Sequence, residues 1–401
     1  MSLNETPSAN RLHIGFFGRR NAGKSSVVNA LTGQEMSVVS ETKGTTTDPV
    51  SKSMELLPLG PVVILDTPGY DDEGPLGELR VRRTQQTLNR ADLAVLVVDA
   101  TQGIGRCEKE LLTLFAKKSI PYVIAWNKCD LADALPASSE HTVAVSALTG
   151  AGIHDLREAL AHLKPVGQTH HLIADLVQPG DLAVLVIPID ESAPKGRLIL
   201  PQQQALRDLL DVGAIGVTTR ETELVEALRS LGRKPAMVVT DSQAFGDVAR
   251  DTPMDIPLTS FSILMARYKG FLETAVRGVA ALNSLREGDR ILIAEGCTHH
   301  RQCNDIGTVK IPRWLKAHTA CDLHIDTSSG LGFPEDLSPY RVVIHCGGCM
   351  LNEREVAYRM KCASDQGVPF LNYGIAIAFM KGILHRSLSL FPELQKLVPA
   401  S

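Results

Sequence analysis

The chain has no excess of positive charge: its 401 residues carry 41 Lys and Arg against 45 Asp and Glu, a formal net charge of −4. Proteins that grip a phosphate backbone usually show the opposite balance, so nucleic acid is disfavoured as the main partner. No uninterrupted apolar run approaches the roughly 18–20 residues a membrane helix needs, and the opening MSLNETPSAN has neither a basic start nor an apolar stretch. The expectation is a soluble, cytoplasmic protein with no membrane partner. There is no fixed-period repeat and no low-complexity segment. Aromatics amount to only 4%, yet hydrophobic residues reach 44% and charged residues 21%, which suits a packed core and excludes disordered or collagen-like chains. Cysteines are few, eight in all; a cytosolic chain keeps them mostly reduced, so a cluster of them reads as metal-binding or redox before disulfide.

At roughly 100–200 residues per domain, the length implies two or three domains. Short apolar runs, LHIGFF at 12–17, VVILD at 62–66, LAVLVVD at 93–99, YVIAWN at 122–127 and VAVS at 143–146, alternate with amphipathic segments near 24–32, 76–90, 105–118 and 152–163. This is the signature of an α/β, doubly wound, mostly parallel sheet, whose strand ends form the site. KPVGQTH at 164–170 interrupts the pattern. It restarts with LAVLVIPI at 182–189, AIGVTT at 214–219 and AMVVT at 236–240, passes through a polar stretch at 251–260 and a helical run near 261–285, and resumes with RILIAEG, RVVIH and VPFLN. The expected domains are 1–168 and two smaller α/β domains, 169–265 and 266–401.

Gly18, four residues, then Gly23, Lys24 and Ser25 match G-x-x-x-x-G-K-[ST] between a predicted strand and a predicted helix. Such a loop curls backbone N–H groups around phosphates, here through Gly18, Asn21, Ala22, Gly23, Lys24, Ser25 and Ser26. Lys24 neutralises the β and γ charges, and Ser25 offers its hydroxyl to Mg²⁺. Asp66-Thr67-Pro68-Gly69 ends the next strand, where Asp66 can hold Mg²⁺ through water and the Gly69 N–H can sense a γ-phosphate. Asn127-Lys128-Cys129-Asp130 ends the YVIAWN strand, and Asp130 can accept two hydrogen bonds from guanine, a pattern that adenine does not offer. Ser146-Ala147-Leu148 would complete the pocket with a backbone N–H to the guanine oxygen. Together these motifs predict a P-loop GTPase that binds GTP and Mg²⁺.

The set resembles the G-protein superfamily over about residues 10–165, and GRRNAGKSSVVNAL with KGTTTDP is similar to its TrmE/Era-like branch. The resemblance implies that Thr46 closes on Mg²⁺ and that Asn21 can hold K⁺ beside the phosphates, so that Lys24, Thr46, Asp66 and Asn21 carry catalysis. Tyr70 follows DTPG, so the water-positioning Gln of Ras-like proteins is missing and slow intrinsic hydrolysis is expected. Arg19 and Arg20 read as a solvated basic turn before a catalytic pair.

Near the C-terminal end, Cys297-Thr298-His299 follows RILIAEG, and His345-Cys346-Gly347-Gly348-Cys349 ends RVVIH. If both strands run parallel in one sheet, their ends can bring three thiolates together, with glycines for the tight turn and a helix near Asn352 aiming its positive end at them. CGGC alone could be a dithiol redox pair, and the full set suits either structural zinc or a 4Fe-4S cluster with an open fourth iron. The combination of a TrmE/Era-like GTPase with this C-x-H…H-C-x-x-C signature resembles, over the whole chain, the HydF family of FeFe-hydrogenase maturation GTPases. That resemblance implies Cys297, Cys346 and Cys349 as cluster ligands, with His299 and His345 near the fourth iron. It implies a dimerising middle domain and thus a homodimer, a diiron precursor as cargo, and apo-hydrogenase and two radical-SAM maturation enzymes as partners. Cys303, Cys321 and Cys362 read as surface or core residues. The alternatives are a TrmE/Era-like RNA-modification or ribosome-assembly GTPase with structural zinc, and a thiol oxidoreductase fused to a GTPase.

Overall fold

The computed structural model describes residues 6–33, 51–67, 69–70, 77–132, 134–135, 139, 141–164, 170–189, 198–296 and 305–398. Thr46, Cys297, His299 and Cys303 lie outside the described residues. The chain folds as two compact units, Met1–Gln168 and Thr169–Ser401.

In the first unit, β1 (Leu12–Phe17), β2 (Ser51–Leu56), β3 (Gly60–Asp66), β4 (Leu93–Asp99), β5 (Tyr122–Asn127) and β6 (Thr142–Ala144) form one sheet in the order β2-β3-β1-β4-β5-β6. All neighbours are parallel except β2 and β3. Successive side chains of a strand point to opposite faces. Accordingly Ile14, Phe16, Val95 and Val97 pack with helices Lys24–Thr32 and Ile153–His162. On the other face Phe17, Ala94, Leu96 and Val98 pack with Leu88, Leu111 and Phe115 from helices Gly77–Arg90 and Arg106–Lys117. The doubly wound architecture read from the alternation is the one observed.

The second unit holds two four-stranded parallel sheets. β7 (Leu182–Val186), β8 (Ile215–Thr219), β9 (Met237–Thr240) and β10 (Leu258–Ser260) take the order β10-β9-β7-β8. β11 (Arg290–Ala294), β12 (His324–Ser328), β13 (Val342–His345) and β14 (Phe370–Asn372) take the order β12-β11-β13-β14. One apolar core runs through both, from Val184 and Val238 to Ile291, Ile293, Val343 and Ile344. The 265/266 boundary falls inside helix Phe261–Tyr268. Strands β2, β10 and β12 have no counterpart in the apolar runs: SKSMEL alternates exposed and half-buried positions, β10 is three residues long, and HIDTS is polar. The helical run near 261–285 is divided into helices Phe261–Tyr268 and Leu272–Gly278 and a 3₁₀ turn, Val279–Ser284. Among the described residues no helix is long and apolar enough to cross a membrane.

Because the two sheets share one core, the second unit should lose structure as a whole. Phe271 is fully buried, edge-on to Phe370 at 5.7 Å. Phe271→Ala should cost about 3–5 kcal/mol and lower a single melting transition of this unit. Two separate transitions within residues 169–401, only one of them shifted, would show that the sheets are independent.

Candidate functional site

The first candidate site lies at the carboxyl ends of β1, β3 and β5. The loop after β1 enters helix Lys24–Thr32 through Gly23, whose φ of 89° is open to glycine, and an added Cβ would stand 2.2 Å from Asn127 Nδ2. Asn21 takes the left-handed conformation too, φ 63°, with its side chain exposed at the turn. Ala22 is buried, while Ser25 and Ser26 are exposed at the helix start. Lys24 is 8% exposed and its Nζ donates to the carbonyls of Gly18 at 3.1 Å and Arg19 at 2.9 Å.

Asp66, at the end of β3, accepts from Ser25 Oγ through Oδ2 at 3.3 Å, whereas its Oδ1 is buried with no hydrogen-bond partner. Burial raises its carboxyl above the usual range, against the pull of Lys24 and Ser25. An orphaned carboxylate oxygen beside a serine hydroxyl fits the water shell of a divalent cation. The segment after β3 rests on the phosphate loop: Tyr70 N–H donates to Gly18 carbonyl at 3.1 Å, and Gly69 faces Arg20. Tyr70 is buried with Phe17 and Leu88.

Asn127 ties the base-side loops to the phosphate loop, donating to Ala22 carbonyl at 2.9 Å and accepting from Ala147 N–H at 3.1 Å. Lys128 Nζ bridges Asn21 carbonyl at 3.1 Å and Asp99 Oδ2 at 2.6 Å. Burial would raise Asp99, but hydrogen bonds from Lys128 and Thr101 outweigh it and hold its carboxyl below the usual range. Asp130 is exposed on the 3₁₀ turn Cys129–Leu131. The N–H groups of Ser146 and Ala147 are bonded to Ala151 carbonyl and Asn127 Oδ1, so a guanine oxygen must share the Ala147 N–H with Asn127. Arg19 is not a solvated turn residue. Its guanidinium reaches Glu108 Oε1 at 2.8 Å, Gln102 Oε1 at 2.8 Å and Gly103 carbonyl at 2.6 Å.

The second candidate site lies where β11 and β13 end side by side. Their register pairs Ala294 with His345, and Cys346 N–H donates to Ala294 carbonyl at 2.9 Å. Cys346 Sγ accepts from the N–H of Gly296 at 3.1 Å and of Gly348 at 3.4 Å. Gly348, φ 68°, turns the chain back toward its own cysteine. Burial pushes the Cys346 thiol up, while these two N–H groups and Arg359 pull it down. Cys349 is half-buried against the core that holds Phe261, Leu264 and Met265. Asn352 caps helix Glu353–Asp365 just beyond, its Oδ1 accepting from Glu355 N–H at 3.2 Å.

His345 ends β13. It is fully buried, Nδ1 faces Cys346 carbonyl at 2.6 Å and Nε2 faces Arg359 Nη1 at 3.2 Å, so both ring nitrogens are engaged within the core. Only Nδ1 can donate to the carbonyl and only a neutral Nε2 can accept from the arginine. Burial, with Arg359 beside it, lowers this imidazole to about 3. Cys321 is engaged locally, its Sγ donating to Thr319 carbonyl, and Cys362 packs against the core. Among the described residues no group of three or more His, Cys, Asp or Glu stands at metal-holding range. Arg359, Glu355, Glu295 and Tyr373 were not marked by any motif. The available signal was a Glu–Arg pair at i,i+4 on one helix face.

Comparison with known proteins decides the family. A model of the hydrogen maturase F dimerization domain matches residues 172–270, and one of the hydrogen maturase F tetramerization domain matches residues 273–390. The chain belongs to the hydrogen maturase F family. Residues 13–128 match a 50S ribosome-binding GTPase model. GTPase Der of Maridesulfovibrio salexigens is 39% identical over 132 residues, 32% of this chain and 29% of that protein. The tRNA modification GTPase MnmE of Nitrosomonas europaea is 35% identical over 155 residues, 37% of this chain and 34% of that one. The chain thus spans about a third of these curated relatives. An Era structure of Aquifex aeolicus with GDP and aluminium fluoride aligns with a TM-score of 0.33 at 21% identity, covering 55% of this chain and 98% of that one. Residues 13–128 thus match a GTPase domain, and the two further matches are to domains described by dimerization and tetramerization. The model that matches residues 273–390 is described as a tetramerization domain, whereas the sequence resemblance implied a homodimer.

Two outcomes follow for the first site. Asp130→Asn should weaken GTP binding and raise affinity for xanthine nucleotides in equilibrium titration, and unchanged GTP affinity would remove Asp130 from the base pocket. With Arg19 bound to Glu108, Arg19→Ala should lower kcat only a few-fold, whereas Lys24→Ala should abolish measurable hydrolysis. Equal losses would make Arg19 the catalytic cation.

Proposed function

We propose that this chain is a GTP-switched scaffold of FeFe-hydrogenase maturation, carrying a 4Fe-4S cluster on Cys297, Cys346 and Cys349 in its C-terminal domain, 266–401. The observation that carries the reading is the parallel pairing of β11 with β13, which delivers Gly296 and Cys346 to one place with two N–H groups on the Cys346 sulfur. N–H donation stabilises a thiolate, and a non-cysteine or exchangeable fourth ligand would leave one iron open. His299 and His345 stay candidate neighbours of that iron, His345 with its ring held in the core. The cluster would supply the attachment point for a diiron precursor. The domain 169–265 serves dimerisation.

In the domain 1–168, the backbone of Gly18, Asn21, Ala22, Gly23, Lys24, Ser25 and Ser26 would cradle the phosphates, Lys24 leaving its carbonyl partners for the β and γ oxygens. Ser25, Asp66 and Thr46 would hold Mg²⁺, and the Gly69 N–H would sense the γ-phosphate. Asn127, Lys128 and Asp130, with Ser146 and Ala147, would read guanine. Tyr70 is buried where Ras-like proteins carry their water-positioning Gln, which supports the reading of Asn21 as a K⁺ ligand in place of an arginine finger. GTP turnover then changes contacts with the apo-hydrogenase and the two radical-SAM maturation enzymes in the cytoplasm.

Anaerobic purification with iron and sulfide analysis tests the scaffold directly. Cys346→Ser and Cys349→Ser should lose most of the iron while GTP hydrolysis stays within a few-fold of wild type. Colourless protein with one zinc per chain would defeat the reading and favour a structural zinc site. Hydrolysis should run faster in K⁺ than in Na⁺ at equal ionic strength; equal rates would remove Asn21 from the catalytic set.

A further inference from the structure

The largest fully buried side chain in the described residues is a charged one, Arg359. It lies on the inner face of helix Glu353–Asp365, and its guanidinium has a partner on every side. Nε donates to Glu355 Oε1 at 2.9 Å, Nη1 approaches His345 Nε2 at 3.2 Å and Glu295 carbonyl at 3.5 Å, and Nη2 donates to Gly330 carbonyl. The face of Phe333 lies 5.1 Å from the guanidinium carbon.

Burying this charge is expensive, and an apolar pair of similar volume is often as stable as a buried ion pair. Packing alone therefore does not account for it. What an apolar pair could not do is grip the two strand ends. His345 is the residue before Cys346, and Glu295 stands two before Cys297, so the Nη1 fork ties together the points from which both cysteine segments leave the sheet. The ion pair is also oriented. Glu355 takes the Nε side, and the positive Nη1 side faces β11 and β13. Lys could supply the charge but not the planar fork that meets acceptors in several directions.

We infer that Arg359, oriented by Glu355, is a positioning residue of the thiolate site that fixes both strand ends and sets the reduction potential of the centre they carry. The inference rests on the cluster reading above. Reduction adds negative charge to an iron–sulfur centre, so a fixed positive charge beside it favours the reduced form. Arg359→Gln removes that charge, and Glu355→Gln removes the negative charge that offsets it. The two should move the potential in opposite directions, which a general loosening of structure would not do.

The experiment is a redox titration, followed by electron paramagnetic resonance, of full-length protein loaded anaerobically, with iron and sulfide content measured alongside. Arg359→Gln should shift the one-electron reduction equilibrium at least tenfold toward the oxidised form, about 59 mV lower. Glu355→Gln should shift it toward the reduced form, and Arg359→Lys should stay within about threefold of wild type with a lower iron content. If Arg359→Gln does not fold, the sign of the Glu355→Gln shift and the near-constancy of Arg359→Lys decide the matter. Shifts of the same sign in both glutamine variants, or none beyond twofold in cluster-bearing Glu355→Gln, would overturn the assignment of Arg359. A wild type that takes up no iron would instead overturn the cluster reading itself.

Discussion

Parallel pairing is the constraint on which both sites depend. Strands that run the same way release their chains at the same edge, so residues far apart in sequence meet without a long loop to bring them. In the first unit this gathers Gly18, Asp66 and Asn127 around one helix start. In the second it sets the residues after Ala294 beside those after His345. Among the described strands, the antiparallel neighbour β2 lies at the sheet's rim and leaves this edge undisturbed.

The two sites use that geometry in different ways. The nucleotide site binds its loops to one another through polar contacts: Asn127 to Ala22, Lys128 to Asn21 and Tyr70 N–H to Gly18. An incoming nucleotide can compete for such contacts, and Lys24, bonded to loop carbonyls, is the group whose partners must change. The thiolate site is instead anchored from below by buried, charged and aromatic groups, with His345 between Arg359, Phe271 and Phe370. A loop that exchanges partners suits a switch, and a rigid base suits a resident metal centre.

Much of this was legible in the sequence because apolar runs and motif loops coincide. β1, β4 and β5 begin and end where LHIGFF, LAVLVVD and YVIAWN do. Strands that face solvent were not legible: SKSMEL and HIDTS carry too little apolar character to stand out, and only pairing in three dimensions makes them strands. Arg19 looked like a surface residue because its partner Glu108 is 89 positions away. The resemblance implied His345 only as a residue near the fourth iron; that its two ring nitrogens face Cys346 carbonyl and Arg359 depends on a residue 14 positions on and on a tautomer that no motif encodes.

The central claim is that paired strand ends present three thiolates to a four-iron cluster with one iron left open. An iron-57 Mössbauer spectrum of the anaerobically loaded protein tests it most directly. The account predicts a 4Fe-4S signal in which one iron is distinguishable from the other three and alone changes when an exogenous ligand such as cyanide is added. Four irons that remain equivalent in the presence of that ligand, or a protein that binds zinc and no iron, would contradict it.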